Sequence, residues 1–454
     1  MEQAIRFFCI ISIWLMGAGS AFAQQYVVRG GTGDPMLAAD ETAYKLKVYV
    51  VNGVENVSIS YTSSSTQHQW YRYKTSRLGD SEPVESTQNG TTSTLSHVED
   101  GYGYYVDEGV SASYYVWIID YAQHPVQFDN LAVSENSSCS GVLLQSSASI
   151  DNLRYYYPTN GLSRMLSREF EVSFNTLEWD EESLLFQEVR RTIRTNNPFS
   201  ESIDSVFVDT DFVLTGDQFA SHFGQPQTAT VGFYETSMIA LEADTTVMED
   251  TADNMASGSE GQLSAPATVR FTAYANDPVA SLYVWKIYRD EDGEDNPLVR
   301  YTDAEVEYTF TEYGQFTAVV EVSDRTGNCY QTQSFALEVA ESFLDVPNAF
   351  SPGTTPGVND EFRVAYKSLV RFSCWIFNRW GQQIYHWTDP TRGWDGTKNG
   401  KLVLPGVYFY VIEAEGSDGK RYNLKGDINI LRGKRERNFE SSSGSTDGSD
   451  TTTQ

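Results

Sequence analysis

Leu404-Pro-Gly-Val-Tyr-Phe-Tyr-Val411 decides how the C-terminal region of this 454-residue chain is read. Pro405-Gly406 launches a strand that runs from Val407 to Ile412. Successive side chains of a strand point to opposite faces, so Tyr408 and Tyr410 share one face while Val407, Phe409 and Val411 share the other. Upstream, Ile376 and Phe377 with Ile384 and Tyr385 flank Asn378-Arg-Trp-Gly381, a turn-rich hairpin. These pieces predict a self-contained antiparallel β-sandwich from about Val346 to Arg432.

Working outward, the whole chain carries the same signature. Hydrophobic residues make up 40% and aromatic residues 13%, with 28 Tyr, 24 Phe and 9 Trp. Aromatic side chains fit a pleated, half-buried surface, so the fold class is all-β. The length suggests roughly three or four domains. Sixty-two acidic residues against 32 basic ones give a formal net charge of -30, which repels phosphate backbones and argues against nucleic-acid binding. Arg6, the apolar run Phe7–Met16 and Ala21-Phe22-Ala23 read as a secretory signal over residues 1–23. No later segment approaches the about 20 apolar residues of a membrane-spanning helix. Cys139, Cys329 and Cys374 remain after such cleavage. Three cysteines in three regions read as small buried hydrophobes, with a Cys139–Cys329 bridge as the alternative.

Short alternating runs fill residues 24–136: Tyr44–Val51, Val57–Tyr61, Gln69–Tyr73, Asp100–Val106 and Tyr114–Ile119. An aromatic strand centred on Trp70, followed by Asp100-Gly-Tyr-Gly-Tyr104, resembles the immunoglobulin plan, in which such a tyrosine forms the tyrosine corner. Val106 stands where an antibody domain has its second cysteine. Residues 139–242 predict a further β-sandwich of uncertain family, with strands at Phe170–Phe174, Asp204–Leu214, Thr228–Tyr234 and Met238–Glu242 and either a short helix or an extended segment over Glu182–Ile193. Residues 243–267 are acidic, small and polar and read as a flexible linker. Residues 268–342 resemble a polycystic-kidney-disease (PKD) domain: Tyr283-Val-Trp285 matches its central tryptophan strand, and Tyr308-Thr-Phe followed by Gly314-Gln-Phe316 matches its next strand pair.

The last module, residues 343–432, resembles the gliding-motility-associated type B sorting domain of Bacteroidetes. Val346-Pro-Asn-Ala-Phe-Ser-Pro352, Val358-Asn-Asp-Glu-Phe362, Trp375–Tyr385, Trp394-Asp-Gly396, Leu404–Val411 and Lys425–Arg432 match its blocks in order. The resemblance implies export through the type IX secretion system and docking to a PorP/SprF-like outer-membrane protein. On it, Asn378, Arg379, Trp380, Gly381, Trp394, Asp395 and Gly396 are the expected partner-docking residues. Two features depart from the family: its acidic turn is replaced by Pro352-Gly-Thr-Thr-Pro-Gly357, and a Ser/Thr-rich tail follows over 433–454. The tail favours a retained envelope component over released cargo.

Candidate chemistry is sparse. Asp290, Asp292 and Asp295 alternate with glycine as in a calcium loop, and calcium is the one cofactor the sequence suggests; the same segment also suits a solvated hairpin turn. Asp244-Thr-Thr246, Asp250-Thr-Ala252 and Asp450-Thr-Thr452 resemble Bacteroidetes O-glycosylation sites, with acceptors Thr245, Thr251 and Thr451. Asp204-Ser-Val206 fits the same pattern but reads as strand. Gly-x-Ser-x-Gly, His-Glu-x-x-His and phosphate-binding glycine loops are absent from the sequence, so no catalytic residue is assigned. Exposed aromatic residues would suit stacking on glycans, but their placement at strand positions favours core packing. The reading is therefore a non-enzymatic exported surface protein that docks through its C-terminal module. A glycan-binding adhesin delivered as cargo is the alternative.

Overall fold

The computed structural model describes residues 26–109, 114–248, 252–256, 261–353 and 357–431, so the signal sequence and the tail beyond 432 lie outside the described residues. Two compact units divide the chain: Met1–Glu178 with Gln187–Met238, and Trp179–Phe186 with Ile239–Gln454. Both are built from β-sandwiches.

In the first unit, the N-terminal sandwich pairs two sheets. One has the strand order Tyr26–Arg29, Ser58–Thr62, Thr92–Leu95, Thr87–Asn89. The other runs Met36–Glu41, Leu46–Val51, Tyr115–Asp120, Tyr102–Asp107, Gln69–Tyr73, Glu82–Val84. Trp70 is fully buried between them, and its indole Nε1 donates to Ser93 Oγ at 2.7 Å. The Glu99 backbone N–H donates to Tyr104 Oη at 2.7 Å, the tyrosine corner expected of this plan. Buried Val106 fills the space of the missing disulfide.

The six-stranded sheet is covered on its outer face as well. Leu46, Val48, Val50, Trp117 and Ile119 on that face meet Leu153, Tyr155 and Tyr157 from an inserted hairpin, Arg154–Tyr156 with Ser163–Met165. Phe219 from the short helix Gln218–His222 and Phe223, which caps its C-terminus, complete the layer. This second cover explains why Leu46–Val51 and Tyr115–Asp120 read as nearly continuous apolar runs. Polar links join the same elements. Arg168 pairs with fully buried Asp217 at 2.8 Å and donates to the His124 carbonyl at 2.8 Å, while Asp217 Oδ1 caps the helix at Ala220. His124 lies between Asp100 at 2.9 Å and Asp151 at 3.3 Å.

The second sandwich sets Gln127–Val133, Val142–Ser149 and Ser200–Ile203 against Leu185–Thr195, Phe170–Asp180, Thr210–Gly216 and Gln227–Tyr234. Two sequence expectations change here, and one left open is decided. Gln127–Val133, read as the end of the first module, pairs with Val142–Ser149 and begins the second. Glu182–Ile193 is extended, because Asp180 accepts from Glu182 N and Ser183 Oγ to form a turn and the chain then enters Leu185–Thr195. Asp204–Leu214 is not one strand: Ser205 sits at φ +59°, and the chain changes sheets between Ile203 and Thr210. Asp204-Ser-Val206 therefore lies in the crossover.

In the second unit, the third sandwich sets Leu241–Val247, Ala267–Ala275 and Glu305–Phe310 against a five-stranded sheet. That sheet runs Gln262–Leu263, Tyr330–Val339, Gly314–Ser323, Leu282–Arg289, Val299–Tyr301, with Trp285 fully buried. The flexible linker expected over 243–267 is largely replaced by structure. Leu241–Val247 pairs along its length with Ala267–Ala275, and Leu241 and Ala243 pack on the core. Small and acidic residues at alternate positions had hidden the period-two pattern. Farther along, Asn254 Nδ2 donates to the carbonyls of Val364 and Pro390, each at 2.8 Å. Cys139 and Cys329 are both disulfide-bonded, which corrects the reading of all three as plain buried hydrophobes; among the described residues Cys374 is the free thiol.

The C-terminal module is a five-stranded sheet in the order Ala349–Phe350, Arg421–Ile430, Gly406–Gly416, Leu369–Phe377, Gln383–Trp387. Two small pairs, Phe343–Asp345 with Ala365–Lys367 and Thr397–Lys398 with Lys401–Leu402, accompany it. Phe350, Phe362, Trp394, Cys374, Ile376, Ile412 and Ile428 form the core on one face.

Candidate docking surface

The strand Gly406–Gly416 determines what the module presents. Tyr408 and Tyr410 turn inward: Tyr408 meets Trp394 edge-on at 5.5 Å and Tyr410 lies 5.9 Å from Phe362. Gly426 stands opposite Tyr410 across the ladder, and a Cβ there would sit 2.6 Å from Tyr410 Oη, so only glycine leaves room for the ring. Val407, Phe409 and Val411 consequently point outward and remain 47%, 44% and 36% exposed.

Their neighbours extend the apolar face. Phe377 stands opposite Phe409 and Trp375 opposite Val411, both half-buried, and the His386 ring stacks on Trp375 at 4.9 Å. Asp427 and Lys425 flank the same rows on the other side. Toward the third sandwich the face becomes charged, with Arg371 paired to Glu415 at 3.4 Å. Arg371 and Glu415 there line an open cleft of about 760 Å³ together with Ala265 and Pro266. Fully burying a large apolar side chain contributes about 1.5–3 kcal/mol. Finishing the burial of Val407, Phe409 and Val411 alone would thus contribute roughly 2–4 kcal/mol to a complex.

The expected docking residues separate into two groups. Asn378, Arg379, Trp380 and Gly381 form the exposed turn beyond Phe377. Asn378 Oδ1 accepts from the N–H groups of Trp380 and Gln382, each at 3.0 Å, and Gly381 takes φ +79°. Trp380 is left in solvent with Arg379 stacked over it at 4.3 Å. Trp394 is fully buried and donates to the Thr397 carbonyl at 2.8 Å, and buried Gly396 abuts Pro352. Asp395 Oδ1 is occupied by Thr397 N and Oγ1, at 2.9 and 2.7 Å. This second group builds the core and its turn, so it offers a partner no ring to contact. Trp375, Phe377 and Phe409 were not anticipated as docking residues. The signal was present in a strand apolar on both faces, but it did not say which face would be covered.

The remaining candidates are placed as follows. Asp290, Asp292 and Asp295 lie around a hairpin turn with Gly293 at φ +74°, and Asp290 Oδ1 accepts from Thr317 Oγ1 at 2.7 Å. Among the described residues no group of three or more His, Cys, Asp or Glu is arranged to hold a metal ion. Thr245 is in the strand Leu241–Val247 on the same face as Leu241 and Ala243, half-buried, so it stands in a strand rather than in a flexible linker. Thr251 and Thr451 lie outside the described residues. Burial pushes the Cys374 thiol far above its ordinary pKa, so it is an unreactive core residue.

Fold and surface together define a modular β-sandwich protein whose last module leaves one sheet face uncovered among the described residues. Residues 344–430 match the CHU_C type IX secretion signal domain, and residues 132–231 match a fibronectin type III domain. The chain is thus an exported protein with immunoglobulin-like modules upstream of a type IX secretion signal domain. No curated protein matches it. Among solved structures, a tetra-tandem repeat from the extending region of a large adhesion protein is 14% identical, covering 89% of this chain and 99% of that one at a TM-score of 0.21. The BSP domain of a biofilm-associated protein is 10% identical, covering 90% and 96% at 0.16. Among the described residues no helix is long and apolar enough to cross a membrane.

Proposed function

We propose that this chain is a non-enzymatic component of the type IX secretion and gliding machinery, held at the outer membrane or cell surface. Its C-terminal module docks there on a PorP/SprF-like outer-membrane protein. The observation that carries this reading is the uncovered face of Trp375, Phe377, Val407, Phe409 and Val411 on the module that matches the secretion signal domain. A contiguous exposed apolar patch rimmed by polar residues is characteristic of an interaction surface. The third sandwich, with Trp285 at its centre, keeps the PKD-like reading, and such modules serve as spacers or binding units. The non-enzymatic part is supported by the second sandwich, the one candidate seat for catalysis. Its interior is filled by Phe170, Phe174 and Phe212 rather than opened into a cleft.

The test is direct binding between the mature chain, residues 24–454, and a purified PorP/SprF-like protein in detergent. The wild type binds. Phe409→Ser with Val411→Ser, on the solvent face, weakens binding at least tenfold while leaving the fold intact. Equal binding by the variant, or none by the wild type, refutes the docking reading.

A further inference from the structure

The join between the third sandwich and the C-terminal module is closed along its length. Tyr330–Val339 is the last strand of one and Phe343–Asp345 the first of the other, so Ala340, Glu341 and Ser342 alone lie between them. Ala340 N donates to the Leu263 carbonyl at 2.9 Å, and the Ala340 carbonyl accepts from Ser417 Oγ at 3.2 Å. Ser342 Oγ donates to Asp418 Oδ1 at 2.8 Å, and the Ser342 carbonyl accepts from Tyr422 Oη at 3.0 Å. Ala340 and Ser342 are both buried. Gly416 permits the close approach, since a Cβ there would sit 2.2 Å from Ser342 Oγ. Phe343–Asp345 then pairs at once with Ala365–Lys367.

Two further ties hold these modules together away from the join. Buried Ser368 donates its N–H to Ser264 Oγ at 2.8 Å, and its own Oγ accepts from Ala265 N at 3.3 Å. The segment Asn254–Ala256 runs along Tyr366 of the last module. Tyr366 N donates to the Asn254 carbonyl at 3.3 Å and Ala256 N to the Tyr366 carbonyl at 2.7 Å, while Met255 packs on the core of the last module. Val370 of the last module packs in turn on the core of the third sandwich. Module boundaries ordinarily fall in exposed, flexible linkers that few contacts cross. This boundary has the opposite character.

A protease takes its substrate in extended form, so a bond is cut where the backbone can leave its own partners. From Val339 to Asp345 the chain would first have to give up sheet pairing or buried hydrogen bonds. We propose that the secretion signal module is not cut from this chain at the join, and that it stays with the third sandwich as one block of the exported protein. This rests on export by the type IX route and not on which surface docks. Its consequence is that whatever holds the last module also holds every sandwich upstream.

Intact-mass spectrometry of the chain recovered from the surface and medium of cells with a type IX system tests this. One species that carries both the first sandwich and residues 343–431 is expected. A wild-type product ending between Val339 and Val346 overturns the proposal. With the purified mature chain and proteinase K, cutting within 339–346 is at least about tenfold slower than at the exposed turn 290–296. Equal rates at the two places overturn it as well. Ser342→Ala with Asp418→Ala removes the side-chain tie and speeds cutting within 339–346 about tenfold, with the circular dichroism spectrum unchanged. Cutting no faster in a folded variant counts against the proposal. Binding to a PorP/SprF-like protein is read separately, so a severed join leaves the docking reading standing, and a failed docking assay leaves this one standing.

Discussion

The strands Leu46–Val51 and Gly406–Gly416 both carry apolar residues on both faces and meet different fates. In Leu46–Val51 the inner face packs into the first sandwich, and the outer face is closed by the Arg154–Met165 hairpin and the helix Gln218–His222. In Gly406–Gly416 the inner face is covered by Trp394 and Phe362, and the outer face meets nothing within the described residues of its unit. A strand that is apolar on both faces needs two covers. Where the chain supplies both, the strand is buried on both faces. Where it supplies one, the remaining face is left in solvent, which is what the proposed docking uses.

The comparison makes stability predictions that differ by position rather than by residue type. The largest concerns the covers. Phe219→Ala, which opens the outer layer of the first sandwich, is expected to cost about 3–5 kcal/mol in chemical denaturation, as is Trp394→Ala. Phe409→Ala, an equal truncation on the open face, is expected to cost under about 1 kcal/mol, because much of the ring is already in water. Equal costs at Phe219 and Phe409 would break the comparison. A smaller effect follows from the tyrosine corner: Tyr104→Phe removes one hydrogen bond to Glu99 N and should cost about 0.5–1.5 kcal/mol, read from the same denaturation curves.

The smallest effect is the pH dependence of the covered region. Burial disfavours charge on His124, but hydrogen bonds and attraction from Asp100 and Asp151 outweigh it, and the pKa is raised. A raised folded pKa gives stability fully present below the unfolded value near 6.5 and lost as pH rises through the folded one. The first unit should therefore lose stability as pH rises above about 6.5, through the raised folded pKa, and His124→Gln should flatten that slope. A slope unchanged in the variant would remove His124 from the account. Thiol chemistry supplies a further check. Under denaturing, non-reducing conditions the mature chain should alkylate at Cys374 alone, and after reduction also at Cys139 and Cys329.

Much of this was legible in the residues themselves. Trp70 and Tyr104 announced the first sandwich because a buried tryptophan and a corner tyrosine have few other uses at that spacing. The blocks from Val346 to Arg432 announced the last module. Leu241–Val247 was hidden because its core positions are filled by Ala243 and Thr245, too small to show a hydrophobic period. The insertion at 154–165 was hidden because its apolar residues answer a neighbouring module, and sequence periodicity reports only that a face is apolar. The same limit applied to the docking surface. Trp394-Asp-Gly396 stood out by motif but serves the core, whereas Trp375, Phe377 and Phe409 looked like ordinary strand residues. Alternation places side chains on two faces; only the fold shows which face the tyrosines of Gly406–Gly416 claim.

The central claim is that the open face of the C-terminal module is a protein-docking surface. Hydroxyl-radical footprinting of the mature chain, alone and with a PorP/SprF-like protein, tests it most directly. The account predicts that Trp375, Phe377 and Phe409 are oxidised in the free protein and protected in the complex, while Trp394 is unreactive in both. Equal oxidation of Trp375, Phe377 and Phe409 with and without the bound partner would contradict it.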